Sequence, residues 1–374
     1  MQKRVVVLSS HTTSLFWFRM EMMTEFQNRG WQAYAVGNEP EEEWKQAFHD
    51  YGIEYRRIEV QRNGINPVND LKTLRSIRKI LEEIRPEKIF AFQAKTVIYG
   101  TVEANRLGIR EVYPLIAGIG SVFLSDSLKA RFIQTVLTKE YQFALKKCPA
   151  IFFQNTDDIQ VFKDLGIIRD QDIVLLHGSG VNTEKFSILP LPAAPAFICI
   201  SRLIRDKGVY EYLQACRSLK TRYPSVRCLL VGPYDTNPSA ISPEELAPYI
   251  SDGIIEYFGE QKDVRPFLEQ ASVFVLPSYR EGTPKTVLEA MSCGRAILTT
   301  NAPGCKETVI DGENGFLVPV KDDRSIYEKM CWFVEHPDRI RSMGLAGRRM
   351  AEDIFDVNKV NKTICETMGI EKPL

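Results

Sequence analysis

Arg202 and Lys207 stand five residues apart, between an apolar run that closes at Ser201 and a helical pattern that opens at Val209. A guanidinium offers a planar fork to phosphate oxygens, and an ammonium adds a compact charge. Together they could neutralise a diphosphate; the alternative is a solvated loop with ordinary surface charges. A second group follows the apolar run 273–276: Glu281, Gly282, Thr283, Pro284, Lys285, Thr286 and Glu289. A proline is compatible with a helix start. The N–H groups of Thr283, Lys285 and Thr286, with the helix dipole, would then form an anion site to which Pro284 cannot donate. Glu281 precedes that helix, and Glu289 lies within it, eight residues or about two turns on from Glu281. Carboxylates accept hydrogen bonds at defined angles, which suits sugar hydroxyls. A glutamate pair at this spacing is common, and its place after a strand gives it meaning.

Weaker signals surround these. Gly232 and Gly259 each close an apolar run, where a glycine permits close approach to a ligand or simply makes a turn. Gly118 and Gly120 form a GxG, but residue 123 is Phe, so no GxGxxG follows. Asp170 and Asp172 form a DxD that precedes its strand, where a metal-binding pair should follow one, and it reads as a solvated turn. The four histidines are scattered and the eight cysteines form no CxxC. No zinc or other metal cluster is expected.

The elements that must position these residues alternate. Strand patterns fall at 5–9, 32–36, 88–92, 111–115, 150–153 and 173–176, with helical patterns at 16–28, 71–84, 97–107, 128–146 and 157–165. The second half repeats this, with strands at 197–201, 227–231, 254–258, 273–276, 296–299 and 316–318. Its helices are expected at 209–222, 264–270, 286–293, 325–335 and 338–352. Such alternation predicts two α/β, Rossmann-like, doubly wound domains with parallel sheets. The proline-rich stretch 189–196 opposes a helix and is taken as the linker. The expected domains are 1–188, joined by a last helix at 355–374 that packs back, and 189–354. Ligands of such sheets bind beyond the carboxyl ends of the strands, here in a cleft between the domains.

Composition narrows the partners. Among 374 residues, 48 Lys and Arg balance 48 Asp and Glu, so no overall cationic field favours nucleic acid. No apolar run approaches the roughly 18–20 residues that span a bilayer. The amino-terminal run 5–8 is too short for a signal peptide, and charged residues follow it. Cysteines in apolar settings suggest reduced, buried thiols in a cytoplasmic protein.

Taken together, the motifs resemble the family 4 retaining glycosyltransferases of GT-B fold. The carriers, in order, are S-R-L-x3-K-G, L-V-G, F-G-x3-D-V, L-P-S-x-x-E-G-x-P-x4-E-A-M and D-G-x-N-G-x-L-V. The segments 153–158, 178–181, 208–212, 237–239 and 303–305 are similar to the branch that assembles bacterial capsule, O-antigen and N-glycan. That resemblance implies a nucleotide-sugar donor, most simply a UDP-sugar, and an acceptor saccharide on a polyprenyl diphosphate. It implies that Arg202 and Lys207 hold the donor diphosphate, Glu281 meets the transferred sugar, and Glu289 holds the ribose. Backbone around Thr283 to Thr286 would contact phosphate. Relatives often carry a glycine-rich loop after the first strand, whereas this chain has Ser9-Ser-His-Thr-Thr-Ser14. His11 and Arg19 resemble an S-H…F-R pattern of the branch and could meet the acceptor diphosphate; alternatively His11 is an ordinary loop residue. A histidine common in the cleft loop of relatives is absent here, and the backbone of Gly118 and Gly120 could substitute.

Transfer requires the departing diphosphate to be stabilised. With no metal-ligand cluster, the two cations and the helix end at Thr283 would supply that field without a cofactor. Retention is an implication of the resemblance, and Glu281 is expected to position the sugar rather than attack it. Residues 127–147 carry a net charge of +4 among apolar side chains. They read as a basic amphipathic helix suited to the anionic inner face of the cytoplasmic membrane, or as an ordinary helix covering the sheet. Other readings are a sugar-nucleotide epimerase of similar architecture and a non-catalytic subunit of a polysaccharide assembly complex. The intact Arg202, Lys207, Glu281 and Glu289 argue against both.

Overall fold

A computed structural model describes residues 2–61, 66–119, 123, 127–169, 171–237 and 239–372, without the side chains of 128–130. It contains two compact units, residues 1–179 with 360–374, and residues 180–359.

The first unit holds strands β1 (Arg4–Ser9), β2 (Gln32–Gly37), β3 (Glu54–Arg57), β4 (Lys88–Phe92), β5 (Glu111–Ile116), β6 (Ala150–Phe153) and β7 (Asp172–Leu175). They form one parallel sheet in the order β3-β2-β1-β4-β5-β6-β7. Helices α1 (Thr12–Asn28), α2 (Glu41–His49), α3 (Pro67–Ile84), α4 (Ala94–Arg106), α5 (Leu128–Leu145) and α6 (Thr156–Asp164) connect them. Strand side chains alternate between faces. Val5 and Val7 therefore pack with Leu15, Met23 and Phe26 of α1, while Val6 and Leu8 pack with Ile77 and Leu81 of α3. Burial on both faces explains why these strands read as continuous apolar runs.

The second unit has β8 (Ala196–Ile200), β9 (Arg227–Val231), β10 (Glu256–Tyr257), β11 (Val273–Leu276), β12 (Ala296–Thr300) and β13 (Gly315–Val318). Their order is β10-β9-β8-β11-β12-β13. Its helices are α7 (Val209–Arg222), α8 (Pro243–Ser251), α9 (Arg265–Leu268), α10 (Lys285–Ser292), α11 (Asp323–Glu335) and α12 (Pro337–Asp353). Last comes α13 (Val357–Thr367), of which Val360, Ile364 and Cys365, with Met368 just beyond, join the core of the first unit beside α1.

The division between units does not fall at the proline-rich stretch. It lies at 179/180, and the chain leaves the second unit at 359/360. The stretch expected to be a linker belongs to the second unit because side chains and carbonyls anchor it there. Phe186, Leu189 and Leu191 pack on that unit's core. The fully buried Arg295 donates through Nη1 to the Pro190 carbonyl at 2.9 Å and through Nη2 to the Leu189 carbonyl. The prolines thus make an extended, core-bound segment that leads into β8.

The eight cysteines are buried and unbridged. Burial pushes the thiols of Cys148 and Cys199 up to about 12, so they stay protonated at neutral pH. No helix among the described residues is long and apolar enough to cross a membrane.

Candidate functional site

In each sheet the chain runs to one side, then returns to build the other. The reversal lies between β8 and β11 in the second unit. Loops leaving neighbouring strands diverge at such a point and leave a crevice. The residues singled out by spacing stand on those two loops.

The loop after β8 passes through Arg202 into a 3-10 turn (Arg205–Lys207), and Gly208 then opens α7 at φ 69°. Gly208 meets the loop after β11, where a Cβ at 208 would lie 2.1 Å from the Pro277 carbonyl oxygen. Tyr279 N donates to the Asp206 carbonyl at 2.9 Å. The loops are thereby joined, and Lys207 Nζ contacts Glu281 Oε1. Ser278 Oγ donates to the same carboxylate oxygen at 2.7 Å. Glu281 is fixed from behind by its own N–H, which donates to the Pro303 carbonyl at 2.9 Å. The two residues that spacing assigned separately to phosphate and to sugar are therefore in direct contact.

Arg202 is half-exposed and pairs with Asp235 at 2.8 Å. Asp235 Oδ1 also accepts from Asn237 N at 2.8 Å, which shapes the loop after β9. Arg205 shares the loop of Arg202 but turns outward, onto Glu245 at the capping box of α8. Of the three cations on that loop, Lys207 is thus the one held on Glu281.

Helix α10 begins at Lys285, with Pro284 at its N-cap. Lys285 and Thr286 occupy the first two helical positions, whose N–H groups have no acceptor within the helix. Gly282 and Thr283 lie in the preceding turn, and Glu289 sits one turn into α10, half-buried. Burial, aided by the Glu281 charge, pushes the nearby Cys305 thiol up to about 12, so it is no nucleophile. Gly232 has a structural reason to be glycine. Its Cβ would lie 1.8 Å from the Ser201 carbonyl oxygen, so protein backbone fills that space. Gly259 accepts from Gly232 N at 2.8 Å, and a Cβ there would meet nothing within 4 Å.

In the first unit His11 stands at the N-cap of α1, with Nδ1 2.9 Å from Ser14 Oγ and Nε2 3.7 Å from Glu39. Arg19 lies on the sheet side of α1, 3% exposed, over the rings of Phe90 and Phe92. Gly118 follows β5 with a φ of 128°, while Gly120 lies outside the described residues. So does Asp170 of the DxD, whose partner Asp172 is the first residue of β7, at the strand's amino end, rather than preceding the strand as expected. Among the described residues no three His, Cys, Asp or Glu side chains are grouped to hold a metal.

Sequence reasoning missed Tyr279 and Glu211. The Tyr279 hydroxyl donates to Glu211 Oε1 at 2.5 Å, Glu211 is 8% exposed, and Lys321 lies over the tyrosine ring. Burial and this bond raise the phenol well above its ordinary value. A residue 68 positions away carries no local signal; only the helical phase of Glu211 beside Leu213 and Tyr212 hints that it turns inward.

Residues 5–155 match the family described as glycosyl transferase 4-like, and residues 194–336 match glycosyl transferases group 1. The N,N'-diacetylbacillosaminyl-diphospho-undecaprenol alpha-1,3-N-acetylgalactosaminyltransferase of Campylobacter jejuni is 27% identical over 346 residues, 89% of each chain. The capsular polysaccharide biosynthesis glycosyltransferase CapM of Staphylococcus aureus is 25% identical over 67% of this chain and 61% of its own. Among solved structures, sucrose-phosphate synthase from Thermosynechococcus elongatus superposes with a TM-score of 0.81 at 16% identity, covering 97% of this chain and 98% of its own. Anabaena HepE in complex with UDP-glucose gives 0.78 at 17% identity, covering 98% and 99%. These two likenesses establish the GT-B fold.

Proposed function

The chain belongs to the family 4 glycosyltransferases, and from that premise we propose that it transfers a sugar from a nucleoside diphosphate to a saccharide carried on a polyprenyl diphosphate. The step would serve bacterial surface polysaccharide or glycan assembly, as in the Campylobacter and Staphylococcus relatives named above. The carrying observation is the contact of Lys207 with Glu281 at the strand-order reversal, with Arg202 on the same loop.

The reaction breaks the bond between the anomeric carbon and the donor phosphate oxygen, which leaves with the electron pair. Arg202, Lys207 and the first N–H groups of α10 would stabilise that charge. An acceptor hydroxyl attacks the same face, and its proton passes to the departing phosphate oxygen. Donor binding draws Lys207 from the carboxylate to phosphate, which releases Glu281 to accept from sugar hydroxyls. Glu289 would hold the ribose, and the amino-terminal unit would present the acceptor. No metal is assigned a step.

The lipid carrier would bring the enzyme to the inner membrane face, and α5 suits that surface. Phe132, Lys139 and Phe143 are exposed on it at spacings of seven and four, hence on one side of the helix, and Lys146 is exposed in the turn just beyond its end. Aromatic and basic side chains on one face favour an anionic bilayer.

The test is a donor screen, begun with UDP-glucose because a fold neighbour was solved with it, and continued with UDP-N-acetylhexosamines. The acceptor is a short-chain polyprenyl-diphosphate saccharide, with EDTA throughout. A product larger by one sugar is expected, with unchanged rate in EDTA. Conversion of a donor to its epimer without acceptor would overturn the proposal.

A further inference from the structure

The loop that carries Glu281 is held from a third direction. Besides its junction with the loop after β8, it meets the short turn 319–322, which joins β13 to α11. That turn contributes Lys321, whose ammonium lies 5.0 Å from the centroid of the Tyr279 ring.

Lys321 has a φ of 60°. Among the described residues the other non-glycine positions with positive φ are Arg85 and Gln93, and each has a local reason. Arg85 closes α3 at its C-cap, where left-handed backbone is ordinary. The Gln93 side-chain oxygen accepts from Ser9 Oγ, Ser10 N and Ser10 Oγ, which fixes that residue in place. Lys321 has neither. Its side chain is exposed and pairs with no carboxylate among the described residues. The adjoining Asp322 is committed to the start of α11, where it accepts from Ser325 N at 3.0 Å and from Ser325 Oγ at 2.6 Å.

A glycine or an asparagine would close the same turn with less strain. A cation over a ring at an exposed position is a weak contact, and left-handed backbone costs a lysine at least as much. Stability alone therefore does not account for the lysine. Strained residues of this kind concentrate where function requires them, and here the ring that Lys321 covers belongs to the loop of Glu281.

Tyr279 is fixed in three ways. Its N–H donates to the Asp206 carbonyl at 2.9 Å, next to Lys207. Its hydroxyl donates to Glu211 Oε1 on α7 at 2.5 Å. Its ring face lies under Lys321. The residue stands two positions before Glu281, so a ring that swings away would loosen both the Asp206 bond and the contact of Lys207 with Glu281.

We propose that Lys321 is a positioning residue for the donor: it covers the Tyr279 ring and thereby holds the loop that presents Glu281, at the expense of its own turn. The proposal rests on the function proposed above and adds to it a residue that lies outside the crevice motifs. Lys321 is given no contact with the donor and no part in the bond-breaking step.

The experiment uses the full chain and the variants K321G, K321N and K321R. Three quantities are read: the unfolding temperature, hydrogen exchange of the 277–284 amides without ligand, and the KM for the sugar nucleotide that the unaltered protein turns over. K321G and K321N relieve the backbone and remove the charge. Both should unfold at a higher temperature, yet exchange faster across 277–284. Their donor KM should rise about two- to fivefold, the scale of one exposed cation–ring contact, while the acceptor KM holds. K321R keeps the cation and the strain and should match the unaltered protein in all three. Lower unfolding temperatures for K321G and K321N would make Lys321 a support of the fold and overturn the proposal. Faster exchange with an unchanged donor KM would also overturn it, since the loop would then move without consequence for the donor. A raised donor KM with unchanged exchange would mean that Lys321 meets the donor itself, and would overturn the positioning role. So would K321R values that follow K321G. If the unaltered protein turns over no sugar nucleotide, the proposed function fails, while unfolding and exchange, which need no donor, still decide whether Lys321 holds the loop.

Discussion

Gly208 and Pro277 meet backbone to backbone, with 2.1 Å left between the position of a Cβ on residue 208 and the Pro277 carbonyl oxygen. Gly208 also has a φ of 69°. The contact seats Lys207 against the loop that carries Glu281. Gly208→Ala therefore meets two penalties: about 1–3 kcal/mol for left-handed backbone, and a clash relieved only by parting the loops. We expect a lower unfolding temperature and a fall in kcat/KM of about a hundredfold or more, because the cation and the carboxylate separate together. Steady-state kinetics with thermal unfolding check this; unchanged kcat/KM would mean that the junction does not position Lys207.

Arg202 and Lys207 should separate function from stability. Arg202 pairs with Asp235 at a half-exposed position, and such pairs contribute about 0–1 kcal/mol. Arg202→Ala should leave thermal unfolding nearly unmoved and lower kcat by about 10²–10³, the range for removal of one group that stabilises transition-state charge. Lys207→Ala should cost as much activity and somewhat more stability, since Glu281 is only 11% exposed and loses a contact. Product formation at saturating donor is the measurement. Full turnover in both variants would remove the proposed diphosphate site.

The parallel strands were legible because burial on both faces leaves uninterrupted apolar runs, as in β1, β4 and β11. Of the edge strands, β7 and β13 were legible too, but β3 was not. In β3 only Tyr55 is buried, so Glu54–Arg57 carries no apolar signal. The run 254–258 pairs with β9 only at Glu256 and Tyr257, because an edge strand needs only a short ladder. Helices α2 and α8 were missed for local reasons: three successive glutamates open one, and Pro243 and Pro248 lie in the other. At the site, residue types near strand ends were readable, but their pairing was not. Asp235 reaches Arg202 across 33 positions, and no periodicity encodes that. Arg19 was readable as a charge; its place in the sheet-facing stripe emerges only once Leu15, Met22 and Phe26 are seen packed.

Tyr279 should prove a positioning residue for the donor. Its hydroxyl is the one described partner of the buried Glu211 carboxylate, whose Oε2 is occluded and unbonded. Tyr279→Phe leaves that carboxylate without its bond, at a cost of about 1–3 kcal/mol, and loosens the loop that carries Glu281. A lower unfolding midpoint and a raised donor KM are expected. Adding Glu211→Leu removes the orphaned charge and should restore the midpoint but not the donor KM. Recovery of both, in calorimetry and donor titrations, would show that the pair supports the fold and not the loop.

Membrane attachment through α5 makes a prediction independent of the chemistry. Each basic residue close to an anionic surface contributes about 1 kcal/mol of attraction, and each buried phenylalanine about 1.5–3 kcal/mol. Lys139, Lys146, Phe132 and Phe143 all face solvent, whereas Tyr141, Ala144 and Leu145 face the core. Lys139→Gln with Lys146→Gln should therefore weaken binding to phosphatidylglycerol vesicles by about 2 kcal/mol, or roughly thirtyfold, without lowering the unfolding temperature. Phe132→Ser with Phe143→Ser should weaken binding even in high salt, where the electrostatic part is screened. Turnover of a water-soluble acceptor should hold in both variants, while turnover of a vesicle-borne acceptor falls. Flotation on neutral and anionic vesicles reads the first effect directly; equal flotation of the unaltered protein on both would leave α5 as a helix that only covers the sheet.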